Sequence, residues 1–205
     1  MEYIDENHNL LELQRELDEL NRYAIEIGIF GSDDSFYAML AGVHEFGMQI
    51  RAKNKYLAIP TKEAGTKRPR DFEGLFKPKG KNVLALADGN GGIKVMFILK
   101  ESVNIPERSF IRSTFDEKND AWMDFLEDQI QRVCELEITS RDVFENLGSI
   151  IAGDIQKKMI DLRSPSLSGF TKENRKNGGD NPLVDTGGLK RHVTWKVVRD
   201  DGSDV

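Results

Sequence analysis

The chain has 205 residues, 39% of them hydrophobic and 31% charged, a composition that suits a single domain with much exposed surface. The single cysteine, Cys134, excludes an intramolecular disulfide and a cysteine-rich metal site, and no apolar run approaches the roughly 18–20 residues of a membrane span. The acidic first residues lack the basic and apolar regions of a secretory signal, so we expect the chain to fold in a cytosol.

The formal net charge of −6 is divided into opposed blocks. Residues 1–34 have ten acidic and two basic side chains, a local charge of −8, whereas residues 51–81 have ten basic and three acidic ones, a local charge of +7. Residues 163–199 have eight basic and three acidic side chains, a local charge of +5. Such blocks favour head-to-tail contacts between copies, because complementary surfaces steer association. The alternative is that they are solvated faces and loops with weak ion pairs.

Residues 1–22 are predicted to contain an amphipathic helix, followed by a strand and a second helix. The helix has one apolar stripe at spacings of 3, 4 and 3, formed by Leu10, Leu13, Leu17 and Leu20. Apolar residues alternate over 23–30, which predicts a strand with one buried face. Ser32 to Ser35 supply N-cap residues for a short helix over 36–46, which Gly47 is expected to end.

Residues 48–108 predict a β-rich insertion with a long, mobile basic loop. Strand-like runs occur at 57–60, 83–86 and 93–99, and the glycine-rich residues 89–92 favour a hairpin between the last two. The loop between the first two runs contains the candidate interaction residues Lys67, Arg68, Arg70, Lys77, Lys79 and Lys81.

Two long amphipathic helices are expected next, joined by a short link at about 137–140. Residues 163–182 are rich in Ser, Gly, Pro, Asn and charge, and they predict a long exposed loop with the candidate interaction residues Lys172, Arg175 and Lys176. A last strand covers 193–198. The pattern predicts one α+β domain over 1–205, with a small, mostly antiparallel sheet packed against two long helices and a β-hairpin arm inserted at residues 50–105.

Asp185-Thr186-Gly187 is the motif most similar to a catalytic one, because aspartic proteases place a carboxylate in such a turn. Only 18 residues follow Gly187, fewer than a flap and a second loop would need, so a turn before a helix is the better interpretation. Cys134 is expected in the core or at its boundary. The histidines His8, His44 and His192 match no metal-binding spacing. We therefore expect neither an enzyme nor a cofactor or metal site.

Nucleic acid is a second class of partner to weigh. The cations between Lys67 and Lys81 suffice for transient, sequence-independent contact with phosphates. A pI near 5.2 and the lack of a DNA-reading motif argue against dedicated DNA binding.

Four motifs in fixed order carry a resemblance to a known family. They are His44-Glu45-Phe46-Gly47, Ile105-Pro106-Glu107-Arg108-Ser109-Phe110-Ile111, Leu147-Gly148 followed by Asp154-Ile155-Gln156, and Pro182-Leu183-Val184-Asp185-Thr186-Gly187-Gly188-Leu189 with Val193-Thr194-Trp195. Over residues 23–198 the chain resembles the virion-morphogenesis and tail-completion (neck) proteins of tailed bacteriophages. Glu107 and Ser109 depart from the Ala and Pro usual in that family.

The resemblance implies a structural virion protein, assembled in the host bacterial cytoplasm, at the head–tail junction. It implies a cyclic homo-oligomer, most commonly a hexamer, that joins the tail tube or its terminator to the head connector or stopper. A ring requires two different faces of each subunit to meet. A tail terminator or a minor capsid or tail component is the alternative in the same setting, and an aspartic protease of virion maturation is a remote one.

The motifs also predict structural roles for single residues. Ile105-Pro106 favours extended backbone before a helix, and Ser109 is placed to cap that helix. Gly148 would allow a neighbouring element to approach the second long helix closely. We expect the two basic loops to become ordered on contact with neighbours and the acidic N-terminal helix to partner one of them.

Overall fold

The computed structural model describes residues 6–175 and 179–199. Its helices are α1 (Glu6–Leu20), α2 (Ser35–Phe46), α3 (Arg112–Cys134), α4 (Ser140–Asp161), α5 (Gly169–Asn174) and α6 (Gly188–Arg191). Its strands are β1 (Tyr23–Gly28), β2 (Met48–Arg51), β3 (Leu57–Pro60), β4 (Val83–Ala87), β5 (Ile93–Lys100), β6 (Ser102–Ile105) and β7 (Thr194–Arg199). The predicted α+β class is confirmed.

The body of the protein is a two-stranded antiparallel ladder packed on α4, with α3 beside it. Strand β1 pairs with β7 in a register that runs from Tyr23 opposite Arg199 to Gly28 opposite Thr194. The alternating isoleucines of β1 place Ile25 and Ile27 against the buried core. The buried core residues are Ala41, Phe110, Trp122, Leu147, Ile151, Ala152, Ile155, Met159, Leu183, Leu189 and Val193.

The turn between α3 and α4 follows from local sequence. Leu136 adopts a left-handed φ of 57° after α3 ends. Helix α4 then begins with a capping box, in which the Asp142 N–H donates to Thr139 Oγ1 at 3.2 Å and the Thr139 N–H donates to Asp142 Oδ2 at 2.9 Å. Two consecutive long helices therefore reverse direction within a few residues and pack on each other.

Residues 48–105 form an arm with a stem and a separate sheet. The stem is the antiparallel ribbon of β2 and β6, which the sequence patterns did not predict, and the sheet has the strand order β3-β5-β4. The hairpin between β4 and β5 is closed by Asp88, whose Oδ1 accepts from the N–H groups of Asn90 and Gly92 at 3.0 and 2.8 Å. A small second core of Ala64, Met96 and Phe97 stabilises the arm.

Two expectations differ from the structure. Cys134 is exposed, since it is the last residue of α3 and points away from the buried face. Ser109 is not the N-cap of α3, which begins at Arg112 after Ile111. The D-T-G turn leads into the short helix α6, as expected, and the residue before α6 is Gly187, with a left-handed φ of 77°.

Candidate interaction surfaces

Glu45 joins the end of α2 to the start of α3. Its buried carboxylate accepts from the N–H groups of Phe110, Ile111 and Arg112 at 2.8, 3.0 and 3.0 Å, and from Ser109 Oγ at 2.7 Å. Arg112 is the first residue of α3 and Ile111 the residue before it, so their N–H groups have no partner within the helix. The carboxylate therefore acts as the N-terminal cap of α3, although it belongs to another helix.

Electrostatics favours an ionised Glu45. Burial raises the pKa of this carboxyl, but the hydrogen bonds from Ile111, Ser109, Arg112 and Phe110 outweigh burial and hold the pKa below its usual value. The Arg112 guanidinium adds an ion pair at 3.1 Å and stacks on the ring of Phe46 at 4.6 Å. A carboxylate at the C-terminal end of α2 interacts unfavourably with the dipole of that helix. Its favourable electrostatic interaction is with the positive N-terminal end of α3.

Glu16 makes a similar connection between α1 and α4. Its Oε2 accepts from the N–H and the Oγ of Ser140, both at 2.7 Å, and Ser140 is fully buried. Burial raises the pKa of Glu16, but the two hydrogen bonds from Ser140 and the contact with Arg15 leave it lowered overall. The acidic N-terminal helix is thus attached to the body of its own chain.

The four motifs of the phage resemblance contact one another in two pairs, and residues of three of them lie in the same buried core. Gly47 has a φ of 69°, and a Cβ there would lie 2.8 Å from the backbone N of Glu107. Gly148 lies against Trp195, where a Cβ would lie 2.6 Å from the indole Cγ, which confirms the predicted close approach to α4. Gly188 lies under Tyr37 of α2 in the same way. Residues of motifs that are far apart in the sequence therefore form contacts between helices and strands.

The D-T-G turn lines a small cavity of about 200 Å³ beside α2. Asp185 and Thr186 are exposed. The ring of His192 stacks on Tyr37 with a centroid distance of 4.0 Å, and its Nδ1 lies 2.8 Å from the Gly188 carbonyl oxygen. The close packing of α6 on α2 accounts for Gly188, and the left-handed backbone accounts for Gly187.

His44 contacts the same cavity from α2. Its Nδ1 is buried and has no hydrogen-bond partner among the described residues. Burial, followed by the positive charges of Arg108 and Arg175, lowers the pKa of His44. The lowered pKa favours the neutral imidazole at neutral pH.

The six candidate cations of the basic loop, from Lys67 to Lys81, are all exposed. The loop is nevertheless folded, contrary to the predicted mobility, because Phe72 and Leu75 pack against the arm core and Phe76 forms a β-bridge with Ala85. A short 3₁₀ turn at Pro69–Asp71 also orders it. We call this folded segment, residues 66–81, the basic platform.

Lys172 and Arg175, from the second set of candidate interaction residues, have different roles. Lys172 is exposed on α5, a helix that composition did not predict. The Arg175 guanidinium instead donates to the carbonyl oxygens of Gly179 and Val184 at 3.2 and 3.3 Å, so it organises its own loop. Lys176 lies outside the described residues. The buried Arg108 holds the start of this loop, since its Nε donates to the Pro165 carbonyl at 2.8 Å.

The stem presents an apolar face that the sequence patterns did not reveal. Directly opposed residues of an antiparallel pair share a face. Met48 lies opposite Ile105 and Ile50 opposite Val103, so one face of the ribbon is apolar. Met48 and Phe46 also line an open groove of about 310 Å³ at the base of the stem.

No group of three or more His, Cys, Asp or Glu side chains within the described ranges, 6–175 and 179–199, is arranged to hold a metal ion. Over the same ranges, no helix has the length and apolar character that crossing a membrane requires. No protein-family model, no curated protein and no solved structure matches the chain.

Proposed function

We propose that this chain is a structural virion protein of a tailed bacteriophage, a tail-completion or neck protein that forms a ring between the tail tube and the head connector. The observation that supports the proposal is the mutual contact of the four motifs on which the resemblance rests. Here each one contributes to a joint that positions helices.

The Glu45 junction is the strongest of these contacts. It connects the His44-Glu45-Phe46-Gly47 motif to the Ile105–Ile111 motif through three hydrogen bonds to one carboxylate, and a fourth comes from the adjacent Arg112 N–H. The departures from the family pattern fit this junction, because Ser109 donates to Glu45 and Glu107 pairs with Arg112 at 2.7 Å. The motif residues serve packing, as expected of a protein that acts by assembly.

The exposed surfaces suit assembly as well. The basic platform, the apolar stem face and the exposed Phe46, 66% accessible, are available on one subunit. Exposed apolar residues rimmed by charge are typical of protein–protein contacts. A ring of this kind is a homo-oligomer with neighbours in the tail and in the head, located in the virion.

The test is genetic and structural. Deleting the gene from the phage that encodes it should leave filled heads and complete tails unjoined, and expression of the chain in trans should restore whole particles. A control gene that carries Glu45→Ala and Arg112→Ala, which breaks the junction, should fail to complement. Normal particles without the gene would overturn the proposal. Overlong tails would instead identify a terminator, since a terminator ends the growth of the tube.

A further inference from the structure

The outer face of α3 carries an acidic stripe. Asp116, Asp120, Asp124 and Glu127 follow one another at spacings of 4, 4 and 3, which place them along one side of the helix. All four are exposed, and none has a hydrogen bond or an ion pair with another described residue. Phe115 and Met123, 56% and 43% accessible, add apolar surface beside the stripe.

This helix face lacks a cation of its own. Residues 116–128 contain six acidic side chains and one basic one, a local charge of −5. Lys158 of α4 pairs with Glu117, outside the stripe. Like charges four residues apart on a helix repel each other, so the stripe favours a positively charged partner.

The basic platform has the complementary property. Lys67, Lys77, Lys79 and Lys81 have no carboxylate within ion-pair distance in the described part of the chain. Lys77 lies over the ring of Tyr56 at 4.5 Å and Lys67 over that of Phe72 at 5.5 Å, which holds these cations on a folded surface. A preorganised surface loses little side-chain freedom on binding.

Helix α1, the acidic partner that the charge blocks suggested, is less suitable. Glu16 is buried against Ser140, while Glu12 and Glu19 pair with Arg15 and Arg22 of the same segment. These contacts occupy three carboxylates of α1 within its own chain. A continuous row of exposed carboxylates, unpaired among the described residues, is found on α3.

We infer that the basic platform of one subunit docks on the acidic, partly apolar outer face of α3 in the next copy of the chain. The inference rests on the proposed ring and specifies its two faces. A contact between different surfaces of identical subunits is heterologous, and its repetition around an axis closes a ring. Complementary charges set the register of such a contact and exclude wrong pairings.

Two charge-reversal variants test the docking. The platform variant carries Lys77→Glu, Lys79→Glu and Lys81→Glu, and the helix variant carries Asp116→Lys, Asp120→Lys and Glu127→Lys. All six positions are exposed, so both chains should fold, which a circular-dichroism melt checks. A control reverses three other exposed cations, Arg141, Lys157 and Arg191, to Glu.

Sedimentation velocity on the full chain measures the result. The wild type and the control should form the same ring, and each reversal variant alone should associate at least about tenfold more weakly. An equal mixture of the two variants should regain the ring, because every platform then meets a face of opposite charge. Raising NaCl from about 50 mM to about 500 mM should weaken the wild-type ring.

The other outcomes are distinguishable. Variants that each assemble as well as the wild type would overturn the docking and leave the ring in place. A mixture that fails to recover would overturn the pairing of these two surfaces. A wild type that stays monomeric at every concentration would overturn the ring itself. A platform variant that keeps its ring but no longer binds duplex DNA in an anisotropy assay would assign the platform to DNA instead.

Discussion

The Glu45 carboxylate accepts a hydrogen bond from the backbone N–H of Phe110 at 2.8 Å, across a sequence separation of 65 residues. Phe110 is fully buried, so this N–H is removed from water and needs a protein acceptor. The whole arm lies between the two residues in the sequence. One side chain thus connects the segments that enter and leave the arm, and it fixes where α3 begins.

Glu16 and Ser140 repeat the arrangement at the start of α4. At α3 the carboxylate supplies the acceptor that a local N-cap residue would otherwise provide, whereas at α4 the Glu16 carboxylate adds to the local capping box of Thr139 and Asp142. The start of each long helix is therefore coupled to tertiary packing. Loss of either carboxylate should affect the packing between helices as well as one helix end.

Replacing Glu45 with Gln should lower the free energy of unfolding by about 3 kcal/mol, because buried N–H donors and the Arg112 contact lose an ionised acceptor. Urea denaturation at neutral pH measures the change. The matched control is Glu107→Gln, which removes the other carboxylate that contacts Arg112 but is exposed. If Glu107→Gln lowered the free energy of unfolding as much as Glu45→Gln, the ion pairs of Arg112 and not the helix cap would account for the stabilisation.

The contribution of Glu45 should disappear in acid. Its pKa is lower in the folded state than its ordinary value of 4.5, so it stabilises the fold above that value and loses the effect as the pH falls through the folded pKa. The stability difference between the wild type and Glu45→Gln should be constant above about pH 5.5 and shrink steadily below about pH 4.5. Denaturation curves at several pH values measure it. A difference that grew in acid would contradict the ionised cap.

The sequence was sufficient to predict helices and strands with a sustained apolar period, and turns that depend on neighbouring residues. Strand β1 and helix α4 have apolar periods that run over several residues, and the turn at Asp88 depends on adjacent glycines. The stem was missed because Met48-Gln49-Ile50-Arg51 alternates over only four residues and its partner lies more than fifty residues away.

The candidate interaction surfaces could likewise be predicted only where they depend on neighbouring residues. The basic platform was found from composition, but its folding depends on Phe72 and Leu75 reaching the core formed by Phe97 and its neighbours. The cap at Glu45 depends on a contact between distant segments, which no local pattern encodes. The acidic stripe of α3 was not identified from the sequence, because its significance rests on the structural finding that its carboxylates are exposed and lack partners within the described chain.

Replacing Asp185 with Asn should leave virion assembly intact and change the free energy of unfolding by no more than about 1 kcal/mol, since the side chain is exposed. An aspartic protease would lose all its activity with this change. Complementation of a gene deletion and analysis of the virion proteins for cleavage measure the two outcomes. Unprocessed virion proteins in the Asp185→Asn phage would favour the protease. A Thr186→Ser change, which preserves the turn type, is the control.

Replacing Arg175 with Met should raise the pKa of His44 toward its ordinary value of 6.5. The positive charge of Arg175 is one cause of the lowered pKa, after burial and Arg108, so part of the shift should remain. A histidine with a lowered pKa favours the folded state above its unfolded pKa and loses that effect as the pH falls. NMR titration of the imidazole protons measures the pKa. Lys172→Met, on the exposed face of α5, should leave it unchanged, and equal shifts in both variants would contradict the assigned cause.

Two glycines of α4 provide a matched pair for the packing of the helix on β7. A Cβ at Gly148 would lie 2.6 Å from Trp195 Cγ, whereas a Cβ at Gly153 meets nothing within 4 Å. Gly148→Ala should therefore displace the indole and lower the free energy of unfolding by about 1–3 kcal/mol, while Gly153→Ala should raise it by up to about 1 kcal/mol through helix propensity. Urea denaturation followed by tryptophan fluorescence measures both. An equal increase in the free energy of unfolding from both alanine substitutions would mean that β7 does not pack on α4 at Gly148. If Gly148→Ala displaces the indole as expected, its Nε1, which donates to Glu145 of α4 at 3.0 Å, should also exchange faster with solvent.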